Sequence, residues 1–141
     1  DLSHDPDILP SMLASLAGHD VVLGSRYVNG GEISNWNLYR KLLSRFANWY
    51  VRIILSIPYH DLTTGFVAYS SKAIRSILNA RPESEGYAFL VETKYIAFEN
   101  NCSMMEIPII FKEREYGSSK MSLRIIGESI ILPWKLKTSR L

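Results

Sequence analysis

Hydrophobic positions along this chain recur with two periods, and their succession lays out helices and short strands. Residues 6–17 place Ile8, Leu9, Met12, Leu13 and Leu16 at helical spacing, with Asp5 and Pro6 at the start and Gly18 at the end. Val21-Val22-Leu23 is a short apolar run leading into Gly24-Ser25-Arg26-Tyr27, the pattern of a buried strand that delivers a polar loop at its carboxyl end. Asn29-Gly30-Gly31 marks that loop as irregular. Residues 38–57 predict a long helix closed by Pro58, apolar on nearly all sides beyond Phe46, so that its second half must be buried or lie at a membrane interface. A short strand follows at 66–69, a short helix at 72–79 and an amphipathic helix at 88–100 ending on Asn100-Asn101. Residues 103–111 predict another strand, in which Pro108 marks an edge or a bulge. A helix at 122–132 is succeeded by Pro133-Trp134-Lys135-Leu136-Lys137, which mixes apolar and basic residues. Strands interleaved with helices indicate an α/β fold, and no internal repeat competes with that pattern. No stretch reaches membrane-spanning length without a charge or a Pro inside it.

Composition narrows the picture. A chain of 141 residues, 47% of them hydrophobic, is of single-domain size and able to bury a real core. The single Cys, Cys102, excludes an internal disulfide framework and reads as a structural thiol, consistent with a reducing compartment. No signal peptide is visible at the acidic start Asp1-Leu2-Ser3-His4-Asp5, and the chain reads as beginning mid-protein. The net charge of +2 is unevenly spread. Residues 36–57 carry Arg40, Lys41, Arg45 and Arg52 with no acid, and the last thirty residues are basic as well. Two separated cationic segments point to a phosphorylated ligand, an anionic membrane or nucleic acid; nucleic acid is disfavoured, because no recognition signature accompanies the charge.

Phosphate chemistry is most visible in Arg114-Glu115-Tyr116-Gly117-Ser118-Ser119-Lys120. Arg offers a planar fork, Lys a mobile charge, and Gly117 lets backbone amides turn toward an anion; a surface loop with internally paired charges is the competing reading. Arg40 and Ser44 are spaced i, i+4 on one helix face, so a guanidinium and a hydroxyl can address one phosphate. Asp61-Leu62-Thr63-Thr64-Gly65-Phe66 suits either sugar hydroxyls or a capped turn. A carboxylate at Asp1 suits either a hard divalent cation or a helix start.

Asp1-Leu2-Ser3-His4-Asp5-Pro6, Gly24-Ser25-Arg26-Tyr27 with Trp36 and Arg40 after it, Asp61 to Phe66, Gly86-Tyr87-Ala88-Phe89 with Glu92, Ile107-Pro108-Ile109 and Arg114 to Ser122 occur in this order. In that order the chain resembles the dolichol- and polyprenol-phosphate mannosyltransferases of the family 2 glycosyltransferases, over nearly its whole length. The resemblance implies an incomplete GT-A (Rossmann-like) domain lacking its N-terminal nucleotide-binding half, with residues 1–121 the acceptor-side part and 122–141 a C-terminal amphipathic, membrane-proximal helix. It implies inverting transfer of mannose from GDP-mannose to a polyprenyl or dolichyl monophosphate at the cytoplasmic membrane face, assisted by Mg²⁺ or Mn²⁺.

The same resemblance assigns roles residue by residue. Asp1 and Ser3 match the metal-binding motif, and Asp1 and Arg114 count as catalytic. Arg26, Arg40 and Ser44 match residues that hold the lipid phosphate. Arg114, Ser119 and Lys120 match a closing loop on the donor phosphates, expected to be poorly ordered without an anion. Asp61 and Glu92 are expected at sugar hydroxyls, whereas His4, His19 and His60 read as structural or surface residues. A phosphate monoester is already anionic near neutral pH, so such a site needs positioning and charge neutralisation more than a strong base. The partners implied are a nucleotide sugar, the lipid phosphate, a membrane surface, and a membrane subunit or appended membrane segment. UDP-glucose or another donor on the same architecture, and a non-catalytic membrane- or anion-binding module, are the alternatives. Taken alone, a chain lacking the nucleotide half is expected to be inactive.

Overall fold

The computed structural model describes residues 4–112 and 123–138. Asp5 caps a short 3₁₀ turn, Pro6–Ile8, which runs into α1 (Leu9–Ser15). The strands and helices that follow are β1 (Val21–Ser25), β2 (Glu32–Ile33), α2 (Leu38–Leu55), β3 (Val67–Tyr69), α3 (Ser71–Ala80), α4 (Gly86–Glu99), β4 (Met104–Pro108), β5 (Ile110–Phe111) and α5 (Leu123–Thr138). The result is mixed α/β, as the alternation of patterns predicts.

β1 is buried along its whole length because it is the middle strand of a three-stranded sheet ordered β3-β1-β4. It pairs antiparallel with β3, Val21 opposite Tyr69, and parallel with β4, Val21 opposite Met104. Beyond Pro108, which has no N–H to give a ladder, the chain changes sheets: Ile109 donates to Ser25 O, and Ile110–Phe111 then pairs with β2. The edge or bulge expected at Pro108 is thus a switch point. The two-residue β2 and β5 are too short for a period-2 pattern to reveal.

Two apolar clusters meet around this sheet. Val21 and Leu23 of β1 pack with Ala73, Ala97, Cys102 and Met104. Val51 and Leu55 of α2, Val91 and Tyr95 of α4, and Leu132 and Leu136 of α5 form the other, and Tyr59 and Phe98 touch both. Asp20, just ahead of β1, ties the first cluster together by accepting from Lys72 Nζ at 2.7 Å, Ser103 N at 2.9 Å and Ser70 Oγ at 3.1 Å. Lys72 and Ser103 together hold its carboxyl down at about 2.

Three elements depart from the sequence expectation for physical reasons. α2 ends at Leu55, three residues before Pro58, because Ser56 adopts the left-handed conformation and Ile57 N reaches back to Arg52 O. α5 runs through Pro133, whose ring is fully buried beside Leu132; core packing compensates for the lost helical hydrogen bond, and the helix continues to Thr138. α4 is not amphipathic. From Val91 to Ala97 it is buried on all faces, including Glu92, Thr93 and Lys94, whose polar side chains suggest a wet face but find partners inside. Glu92 accepts from Ser84 N at 2.9 Å, and Lys94 Nζ donates to Thr64 O at 2.7 Å and Leu90 O at 2.9 Å.

Lys94 has no accessible surface, and burial pushes its ammonium down to about 7, with Arg26 acting in the same direction and Asp61 opposing. An unfolded Lys keeps its proton to about 10.4, so between roughly pH 7 and 10 the unfolded state binds more protons and stability rises with pH. The unfolding free energy of the wild type, from urea denaturation, should therefore climb relative to Lys94→Met from pH 7 to pH 9, by up to about 1.4 kcal/mol per pH unit. Parallel curves would show that Lys94 stays charged in the fold.

Candidate functional site

Strands β1 and β4 run parallel and end together, at Ser25 and Pro108, and the loops leaving those carboxyl ends build a cationic site. Gly31 makes the first loop tight: a Cβ there would lie 2.6 Å from Ser25 O, so only Gly lets the chain fold back and leave Arg26 beside the strand end.

Arg26 is the centre of the site. Its side chain is 9% exposed and that of Asp61 fully buried. Nε donates to Asp61 Oδ2 at 2.7 Å and Nη2 to Oδ1 at 2.8 Å, a two-pronged pairing that the Arg26 amide joins at 3.0 Å. Nη2 also donates to Thr63 Oγ1 at 3.0 Å. Burial works against the Arg26 charge, but Asp61 outweighs it and the guanidinium is held above its ordinary value. Two edges of the fork are thereby fixed, while Nη1 makes no hydrogen bond to a described residue.

The loop carrying Asp61 is held from both sides. Asn48 of α2 accepts the amides of Leu62 and Thr63 on Oδ1, at 2.8 and 3.1 Å, and donates Nδ2 to Thr63 Oγ1 at 3.0 Å and Ser44 O at 3.1 Å. Glu106 of β4 accepts the amides of His60 and Asp61, each at 2.9 Å, and His60 Nδ1 at 2.9 Å.

Arg40, Ser44 and Asn48 follow one another at i, i+4 along α2, which Asn37 caps by accepting the Arg40 amide at 2.9 Å. Trp36 joins Arg40 to Arg26: the Arg40 guanidinium lies 3.9 Å from the centre of its ring and that of Arg26 lies 5.9 Å away. The Trp36 indole N–H is itself buried, with no acceptor among the described residues. Ser44 enters through Tyr27, whose hydroxyl donates to Ser44 Oγ at 2.6 Å. Burial raises the Tyr27 hydroxyl above its ordinary value, so it remains a donor at neutral pH and leaves the Ser44 proton free to point elsewhere.

Sequence-expected residues fall into three groups. Arg26, Arg40, Ser44 and Asp61 are brought together. Asp61 and Glu92, expected at sugar hydroxyls, are both buried with their carboxylates bonded inside the protein, Asp61 to Arg26 and Glu92 to the backbone of Glu83 and Ser84. Asp1, Ser3, Arg114, Ser119 and Lys120 lie outside the described residues. Among the described residues no group of three or more His, Cys, Asp or Glu side chains could hold a metal ion. His4, read from sequence as structural or surface, stacks on Phe66 at 4.6 Å and meets Phe111 edge-on at 5.2 Å; Phe111 in turn stands 5.7 Å from the Arg26 guanidinium. Asn48 was not singled out from the sequence, although its place one turn beyond Ser44 on the face of Arg40 is the signal that identifies it.

No protein-family model matches the chain. It is 39% identical over 140 residues to the polyprenol monophosphomannose synthase of Mycolicibacterium smegmatis, covering 97% of this chain and 53% of that protein. It is 40% identical over 131 residues to the undecaprenyl-phosphate mannosyltransferase of Micrococcus luteus, covering 93% of this chain and 54% of that protein. The chain thus spans about half the length of the curated relatives it matches.

Asn48→Ala removes the acceptor of two buried or half-buried amides and one holder of Thr63. It should lower unfolding stability by about 2–4 kcal/mol, read from urea denaturation. A change below about 0.5 kcal/mol would mean that the 61–63 loop keeps its place without α2.

Proposed function

We propose that this chain is the acceptor-binding part of a polyprenyl-phosphate mannosyltransferase with a GT-A fold, taking mannose from GDP-mannose. The observation that carries this reading is the Arg26 fork, locked by Asp61 through Nε and Nη2, beside Arg40 on one indole and a Ser44 hydroxyl prepared by Tyr27. Relatives named for mannosyl transfer to polyprenyl or undecaprenyl phosphate supply the substrate class.

In this reading the acceptor phosphate sits against Arg26 Nη1, Arg40 and Ser44, and Asp61 acts by holding Arg26 rather than by touching sugar. A phosphate oxygen attacks the anomeric carbon from the face opposite the leaving group; the new C–O bond forms as the bond to the nucleoside diphosphate breaks, and the configuration inverts. The nucleophile needs no base, since the phosphate is already deprotonated; orientation and charge neutralisation carry the rate. Arg114 belongs on the leaving-group side. Asp1 and Ser3 carry hard oxygen donors of the kind Mg²⁺ or Mn²⁺ takes, and such an ion would neutralise the donor diphosphate.

The acceptor's prenyl chain belongs in a bilayer, and α2 offers a surface for it. Tyr39, Leu42, Phe46, Trp49 and Ile53 recur every three or four residues on its outer side, between 54% and 74% exposed. α5 extends this surface with Ile130, Ile131 and Trp134, and Trp134 Nε1 donates to Tyr50 Oη at 2.9 Å across the two helices. No helix among the described residues is long and apolar enough to cross a membrane. We place this face on the cytoplasmic side of a membrane, lying in the interface.

Full-length protein should move labelled mannose from GDP-mannose to a polyprenyl phosphate, with Arg26→Ala and Arg40→Ala each reducing turnover about a hundredfold. Transfer from UDP-glucose in its place would refute the mannose donor, and undiminished turnover in both variants would refute the site.

A further inference from the structure

A separate cavity opens behind α2. It has a volume of about 190 Å³ and is lined by Tyr27, Arg45, Asn48, Trp49, Arg52 and His60. Arg45 and Arg52 stand two helical turns apart on one side of α2, with Asn48 and Trp49 between them, and Tyr27 and His60 close the opposite wall. Among the described residues no carboxylate lines it. Glu106, bonded to His60 Nδ1 at 2.9 Å, already accepts two backbone amides and holds the imidazole in the wall.

Arg52 contributes its side chain to this wall, with Nε itself buried and without a hydrogen-bond partner among the described residues. An oxyanion in the cavity would meet two arginine side chains and no carboxylate of the described residues. The volume is enough to admit one phosphate group. Neither Arg26 nor Arg40 lines the cavity; it adjoins the acceptor site of the proposed reaction, sharing Tyr27 and Asn48 with it, but is built on a different pair of arginines.

The neighbouring surface tells what the phosphate is attached to. Trp49 is at once a wall of the cavity and a member of the exposed apolar row with Phe46 and Ile53. On the helix, Lys41, Arg45 and Arg52 form a basic row along the edge of that apolar one. A ligand seated here presents its phosphate to the arginines and its apolar part to Trp49. We propose that the cavity is a second anion site, which takes the phosphodiester of an anionic phospholipid headgroup when α2 lies on a bilayer. It rests on the membrane-surface reading of α2 and is independent of the sugar-transfer reading.

Vesicle flotation of the purified chain tests this, comparing phosphatidylcholine alone with phosphatidylcholine containing phosphatidylglycerol. Charge-preserving substitutions separate a built site from diffuse attraction, because lysine keeps the charge of arginine but not its fork. Arg45→Lys and Arg52→Lys should each weaken binding to the anionic vesicles about tenfold, the worth of one hydrogen bond to a charged group. Binding to neutral vesicles should not change, nor should binding of Lys41→Arg, whose side chain is outside the cavity; circular dichroism checks that each variant is folded. Arginine-to-lysine variants that keep full affinity would overturn the site, leaving charge alone. Equal binding to both vesicle types would overturn it while the membrane-surface reading stands, and binding to neither would remove both. Release from anionic vesicles by inorganic phosphate, at a concentration matching that of the anionic lipid, would reassign the cavity to free phosphate and overturn the lipid proposal.

Discussion

A guanidinium can leave water only beside a carboxylate that shares its geometry, and the pairing of Arg26 with Asp61 meets that condition at the carboxyl end of the buried central strand. The arrangement of the site follows from it. β1 is sealed on both faces and both edges, so the residue after it emerges at a fixed place; Asp61 then fixes the direction of its side chain. Removing either partner would strand a buried charge, which is why the loop bearing Asp61 is itself held by Asn48 on one side and Glu106 on the other. The local charge is nearly cancelled, so Arg26 contributes directed donors more than net field. Arg40, half-buried against Trp36, lies beside that fork.

α2 couples the site to its surroundings. Its inner side carries Arg40, Ser44 and Asn48 toward the site and Val51 and Leu55 into the core, while its outer side carries an unbroken apolar row. One rigid helix therefore fixes the distance between the Arg26–Arg40 site and whatever surface the apolar row rests on. Under the proposed reading, in which an acceptor's phosphate is in water and its chain in a bilayer, that separation would be a geometric requirement. The basic edge of the same helix, with Arg45 and Arg52 around their cavity, lies between the two.

Much of this was legible in the amino-acid sequence. The buried strand at 21–23, the long helix from Leu38 and the pairing of Arg40 with Ser44 follow from spacing alone, because helical and extended periods are local properties. Partnerships across the chain are not local. Nothing near Arg26 announces that a carboxylate thirty-five positions away will occupy its fork, and so Asp61 read as a free sugar contact. α4 misled for the same reason: Glu92 and Lys94 suggest water until the loops that bond them are in place. Pro133 ordinarily ends a helix, and only the core around Leu132 and Leu136 shows why it does not end this one.

The central claim is that Asp61 aims Arg26 at the acceptor phosphate. It is tested most directly by the KM of full-length Asp61→Asn for polyprenyl phosphate, since the amide keeps the shape and one acceptor oxygen but loses the charge-assisted pairing. The account predicts a KM raised about tenfold, with the circular dichroism spectrum unchanged. A KM equal to that of the wild type in a folded Asp61→Asn protein would contradict it.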